Sequence, residues 1–335
     1  MKTLYKTALM LAFVLLPAGF ASAQSERENG IALYKQGDHT GAVKLLKKAA
    51  KNNDDDARAW HYLGLSYLKQ DKNKEAEKAL KKAVALDAQD AKIRVGLAYV
   101  YLLRNNPSAQ TEAQTALESN PNDEEAHYIV GAVNFRNGAY NAAYERAKKA
   151  VEINPNFAAA YLLKSQTLVS SFAIQTGTVI KPEGARGQLL REATEDLEKY
   201  LSLSPDSDEV KFQRENLESI KFFSEYYNRP ENQKPVNFDV VEEPDNAKTP
   251  LKIISKPRAE YTDKARSSMV GGGIRLLVGF SADGNVKHIL IIKSLGYGLD
   301  EQAVRAARAI KFEPATKDGK PISVVRQVEY HFSIY

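Results

Sequence analysis

Five histidines, at positions 39, 61, 127, 288 and 331, are the side chains of this 335-residue chain best placed to change charge near neutral pH. None stands at a metal-ligand spacing from another histidine or from a carboxylate. His288 and His331 fall on different strands of one expected sheet, where two ordinary strand residues account for them. The chain has no cysteine, which removes disulfides, thiol nucleophiles and thiolate ligands together. Gly271-Gly272-Gly273 leads into a strand rather than a helix, and no Lys-Ser/Thr follows, so it is an entry to that strand and not a phosphate cradle. Asp54-Asp55-Asp56 lies in a turn ahead of a helix and fits a helix start better than a cation site. No nucleophile-elbow sequence marks a Ser-His-Asp set. These residues supply no catalytic group, no metal site and no cofactor site, and the expectation is a binding protein rather than an enzyme.

What recurs is a spacing. Gly30, Gly64, Ala98 and Gly131 follow one another at 34, 34 and 33 residues, and Ala42, Ala76, Ala109 and Ala143 fill a second small-residue slot. A third is filled by Ala49, Ala83, Ala116 and Ala150, while Pro121, Pro155 and Pro205 close successive units. Such a period calls for stacked helix pairs. Five can be laid out, beginning near Gln24, Ala57, Ala91, Glu124 and Ala158. Trp60 is expected between the helices of the second. The fifth carries about 16 extra residues, and Gly177, Pro182, Gly184 and Gly187 predict an irregular loop over residues 172–187, with the second helix from about Gln188. A last helix, Ser207 to Tyr227, caps the array with Val210, Leu217, Ile220 and Phe223 on one stripe.

With Trp60, Leu63, Gly64, Tyr67, Ala76, Leu80 and Ala83 the second unit resembles the tetratricopeptide repeat (TPR). The resemblance implies an α-solenoid whose first helices line a concave, protein-binding face. The positions carried over to that face include Arg27, Tyr34, Arg58, His61, Tyr99, Tyr128, Phe135 and Gln166. Aromatic rings interspersed with polar groups suit an extended or helical peptide. Ile31 and Leu65 stand where some family members hold asparagines that grip a C-terminal carboxylate, so that ligand class is not expected.

The period changes after Pro250. Ile274, Leu276, Val278 and Phe280 alternate with other residues, Asp283-Gly284 turns the chain, and Val286, His288, Leu290 and Ile292 alternate in turn. Leu299, Ala303, Ala306 and Ile310 keep helical spacing, and Val324, Arg326, Val328, Tyr330 and Phe332 alternate again. The order is β-β-α-β. Asp283-Gly284-Asn285-Val286, Gly298-Leu299-Asp300, Phe312-Glu313-Pro314-Ala315 and Gly319-Lys320-Pro321 resemble the C-terminal domain of the TonB family. That likeness implies a module that contacts outer-membrane receptors by strand pairing, and it points to the last strand, with Val325, Arg326, Gln327 and Glu329 as partner-binding positions.

The expected architecture is therefore mainly α: a signal peptide over residues 1–23, a TPR α-solenoid over 24–228, a linker over 229–250 and a small α+β TonB-like domain over 251–335. The leader is inferred from Lys2, Lys6, the apolar run Ala8 to Phe20 and the small-x-small site Ala21-Ser22-Ala23. Cleavage after Ala23 would give an exported, periplasmic protein; an uncleaved leader would give an inner-membrane anchor and a TonB-type energy-transducing role. Expected partners are proteins or peptides of the cell envelope, an outer-membrane receptor among them, and not nucleic acid. Residues 251–335 carry 14 Lys/Arg against 8 Asp/Glu, a net charge of +6. The prolines at 230, 235, 244 and 250 give the linker the composition of a tether, which predicts two modules that fold independently.

Overall fold

The computed structural model describes residues 18–178, 183–228 and 249–334. The leader up to Pro17, residues 179–182 of the expected insert and residues 229–248 of the linker lie outside the described residues. The chain divides into two compact units, residues 1–100 and 101–335.

In the first unit α1 (Ala18–Lys35) pairs with α2 (His39–Asn52), and α3 (Ala57–Leu68) with α4 (Asn73–Leu86). Asp38 and Asp56 each cap a helix by accepting a backbone N–H three residues on, at 2.8 and 3.0 Å. Such caps satisfy donors that the first helical turn leaves unpaired. Asp56 thereby explains the acidic triplet. Small residues set the helix separation: a Cβ on Gly64 would lie 2.5 Å from Leu80 Cγ, and one on Gly30 would lie 2.7 Å from Leu46 Cγ. Leu46, Leu80, Ala42 and Ala76 are fully buried between the helices. Trp60 is only half-buried, and its indole N–H donates to the Asp54 carbonyl at 3.0 Å. It ties down the turn before α3 and packs in part against the clusters that hold Leu63, Ala79, Ala49 and Ala59.

The repeat continues as α5 (Ala91–Leu103), α6 (Ser108–Ser119), α7 (Glu124–Arg136) and α8 (Tyr140–Ile153). In the fifth pair, α9 (Ala158–Thr178) and α10 (Glu183–Leu203) each run 21 residues, so most of the expected 172–187 loop is helix. Gly177, Gly184 and Gly187 fall within these helices despite the weak helix propensity of glycine. α11 (Asp208–Asn228) follows with its expected stripe buried, and Gln213, Ser219, Ser224 and Tyr226 are buried as well.

The C-terminal region is richer than β-β-α-β. Its central sheet has the order β3-β2-β7, with β2 at Gly272–Phe280, β3 at Val286–Lys293 and β7 at Val324–Phe332, all antiparallel. Two ribbons flank it: β1 (Lys252–Ser255) with β4 (Lys311–Glu313), and β5 (Ala315–Lys317) with β6 (Lys320–Ile322). A short helix, α12 (Asp263–Ser267), precedes β2, and α13 (Leu299–Arg308) covers one face of the sheet. Ile274, Leu276, Val278, Phe280, Val324, Val328, Tyr330 and Phe332 pack there around Leu299, Ala303 and Ala307.

The second face is apolar too. Leu290, Ile292 and Val325 are buried among Phe172, Leu197, Leu217, Ile220 and Phe223 of α9, α10 and α11. The sheet is thus seated on the end of the helical array, and the expected independence of the two modules gives way to shared burial. A register shift between Val278 and Gly279 explains how both faces are filled. His288 takes φ +49° opposite it, so the alternation of β3 inverts. Val286 packs on the α13 side, whereas His288, Leu290 and Ile292 turn to the helices. The sequence expectation put all four on one face; the bulge separates them.

Two outcomes follow from this packing. Gly64→Ala should lower the thermal stability of the first unit, because overpacking costs about 1–3 kcal/mol and exceeds the helix-propensity gain of about 1 kcal/mol; added Leu80→Ala should cost less in that background than in the wild type. Leu290→Ala should cost about 2–5 kcal/mol in denaturant unfolding and should shift the transitions reported from α11 and from the sheet together. Separate shifts would mean the sheet and helices are two bodies.

Candidate interaction surfaces

Of the eight first-helix positions, five belong to the first unit. Arg27 is largely covered and bonded through Nη1 to Asp56 at 2.8 Å and through Nη2 to Glu28 at 2.8 Å. Those partners hold its guanidinium firmly protonated against the cost of burial. Arg58 is exposed and reaches Glu28 at 3.4 Å. Tyr34 packs edge-on to Tyr62, with ring centroids 5.5 Å apart. His61 is buried, and burial pulls its pKa down to about 4, with Asp90 raising it and Lys92 lowering it. Tyr99, 39% accessible, is the most exposed aromatic ring of the set.

The other three lie in the second unit. Tyr128 packs edge-on to Phe157, with centroids 5.4 Å apart. Phe135 and Gln166 line a small cavity of about 40 Å³ together with Ile289, Leu290 and Ile291 of β3. Here the first helices of the fourth and fifth pairs face the chain's own sheet. The seat includes polar contacts: Ile289 N–H donates to Ser219 Oγ at 3.2 Å, and Arg308 pairs with Glu215 at 2.8 Å. His288 stacks on Phe222 with centroids 3.8 Å apart and rings 2° from parallel. Tyr297 donates its hydroxyl to the Leu102 carbonyl at 3.0 Å, and the Arg136 guanidinium lies 5.0 Å from the Tyr297 ring centre. Ser268 Oγ donates to the Leu103 carbonyl at 3.2 Å.

None of these seating contacts was read from the sequence, although one signal was available. The run Ile289-Leu290-Ile291-Ile292 is apolar without alternation, as in strands covered on both faces. Beside the seat, Asp300 is buried and accepts from Ser294 Oγ at 2.5 Å and Leu295 N–H at 3.1 Å, bracing the turn before α13. Burial raises its pKa, and burial also pushes Glu301 up to about 7, with Glu209 and Asp300 adding to it. His288 and His331 do not approach, since β2 lies between their strands. Among the described residues no three His, Asp or Glu side chains converge as a metal site.

The last strand is an edge. Among the described residues β7 has β2 on one side and no strand on the other. Lys256 Nζ donates to the Glu329 carbonyl at 2.6 Å, which identifies Glu329 as pointing its backbone outward. Backbone groups alternate along a strand, so Gln327 and His331 also point outward while Arg326, Val328 and Tyr330 bond to β2. Gln327 and Glu329 side chains are exposed and Arg326 is half-buried. Val325, buried against the helices, offers no side chain to a partner.

Buried His61 makes the first unit acid-sensitive. The folded state holds its pKa near 4 against about 6.5 in a free chain, so the unfolded chain takes up the proton first. Stability should fall as pH drops from about 6.5 toward 4, and His61→Gln should flatten that part of the profile, read by thermal melts at each pH.

Three family models match the sequence. Residues 44–146 match the TPR domain of cytochrome c-type biogenesis protein H, and residues 1–83 match subunit 3 of the anaphase-promoting complex, cyclosome. Residues 257–334 match the C-terminal domain of the Gram-negative bacterial TonB protein. No curated protein matches the chain. Among solved structures, it is similar to pilF of Pseudomonas aeruginosa, at 14% identity over 63% of this chain and 89% of that one, with a TM-score of 0.48. It is also similar to YrrB, described as a TPR protein with an unusual peptide-binding site, at 20% identity over 59% and 98%, with a TM-score of 0.41. TTC0263, a thermophilic TPR protein of Thermus thermophilus, matches at 20% identity over 60% and 99%, with a TM-score of 0.45. The chain joins TPR-type repeats within residues 1–146 to a TonB-family C-terminal domain at 257–334.

Proposed function

We propose that this chain is an exported protein–protein interaction adaptor that captures a partner strand on the outer edge of β7 and uses its helical repeats as a second binding surface. The observation that carries the reading is the edge itself. The Glu329 carbonyl, on the side away from β2, is met by a lysine side chain, and among the described residues no strand pairs there. An unpaired edge gives affinity through backbone bonds and selectivity through alternate side chains. The seating of the sheet on α9–α11 supports an edge held in fixed orientation, which lowers the entropy lost on binding.

Both matched families are binding scaffolds, which supports an adaptor rather than an enzyme. The charged, apolar and small-residue order of the first 23 residues supports export with cleavage after Ala23. Among the described residues no helix is long and apolar enough to cross a membrane. Partners would then be envelope proteins or peptides. In the first unit Arg27 and Arg58 are engaged by carboxylates, and Tyr99, 39% accessible, is the ring most open to a peptide.

Gln327→Pro tests the edge. It removes an outward N–H and keeps every bond to β2, so the fold should survive while capture of partners from envelope extracts falls at least about tenfold. Val328→Pro removes an inward donor and should unfold the sheet, which checks the assignment of sides. Capture undiminished in folded Gln327→Pro, but lost in Tyr99→Ala, would transfer the function to the helical repeats.

A further inference from the structure

Lys256 is placed to select what the β7 edge accepts. It follows β1, is itself exposed, and its ammonium reaches 73 residues along the chain to the Glu329 carbonyl at 2.6 Å. The same ammonium lies 4.7 Å from the centre of the Tyr330 ring. A cation over an aromatic face, bonded to a neutral carbonyl, is well placed but carries no counter-charge in these two contacts. A strand adding to β7 must bring an N–H to that same carbonyl, and the lysine then needs another acceptor. The apolar side chains nearest in sequence, Ile253 and Ile254 on β1, are 40% and 60% accessible, and Ile334 beyond the end of β7 is 50% accessible. The module's net charge of +6 has the same sign as the lysine.

We propose that the β7 edge takes an extended segment carrying alternate acidic and apolar residues, and that Lys256 acts as its gatekeeper. In the free protein Lys256 occupies the Glu329 carbonyl and guards the edge against unselected strands. On binding, the partner's backbone N–H takes over that carbonyl, and the displaced ammonium pairs with a partner carboxylate. Apolar side chains of the segment cover Ile253 and Ile254. This deepens the strand-addition reading and rests on it: backbone pairing supplies the site, and Lys256 supplies the preference for acid.

The experiment uses the full chain and three labelled, end-blocked octapeptides in which valine alternates with glutamate, glutamine or lysine. Binding is followed by fluorescence anisotropy at low and high salt. The wild type should bind the glutamate peptide about tenfold more tightly than the glutamine peptide, with the margin shrinking at high salt. In Lys256→Gln the two should bind alike, with the glutamine peptide bound more tightly than by the wild type because the guard is gone. Lys256→Glu should invert the order in favour of the lysine peptide. Thermal melts establish that each variant is folded, as expected for an exposed side chain. A glutamate preference that persists in Lys256→Gln, or no preference in the wild type, overturns the gatekeeper. Gln327→Pro separates the two ideas: if the peptides bind it as well as they bind the wild type, strand addition itself is wrong. Loss of all three in that variant, with charge selection absent throughout, leaves the edge intact and removes only the role of Lys256.

Discussion

Residues 101–335 are organised by a sheet that is apolar on both faces and must therefore be covered twice. α13 covers one face, through Leu299, Ala303 and Ala307. Covering the other requires the end of the helical array, where Phe172, Leu217, Ile220 and Phe223 meet Leu290, Ile292 and Val325. Each large side chain so buried contributes roughly 1.5–3 kcal/mol, more than the exposed ion pair between Arg308 and Glu215 can add. The same contact solves the problem of the solenoid's open end. α11 caps the repeats, and the sheet in turn caps α11.

A bulge is what allows one strand to serve both coverings. A regular β3 would send Val286 and Leu290 to the same side. The extra residue near His288 inverts the alternation, and the adopted φ of +49° turns its ring flat onto Phe222. Gly279 makes room across the pair, since a Cβ there would lie 2.6 Å from the Lys287 carbonyl. Positive φ at a residue other than glycine costs energy, and here it is compensated by the stacked ring and by the hydrogen bond from Ile289 to Ser219.

Much of this was legible in the sequence, for physical reasons. A 34-residue period of small residues requires close helix pairs, and Gly64 against Leu80 shows the requirement as a distance. Alternation is readable in β2 and β7 because these two strands pair with each other without a register shift, whereas the shifts fall where β2 meets β3. Three features were not legible. Glycines within 172–187 argue for a loop by local propensity, but most of that stretch is helical. The linker's composition speaks for a tether and says nothing of the apolar face that follows it. Lys256 reaches across 73 residues, a relation that no local pattern records. Of the first-helix positions, the sequence found the rings but not their surroundings: Phe135 and Gln166 face β3.

Hydrogen exchange on the full chain, read at single amides along β7, asks whether this strand, in a sheet fixed on its helices, presents an open and oriented edge. Alternation is expected, with Gln327, Glu329 and His331 exchanging quickly and Arg326, Val328 and Tyr330 protected. β3 and the buried turns of α11 should open with one common free energy. Uniform protection along β7, or β3 opening far more readily than α11, would contradict this arrangement.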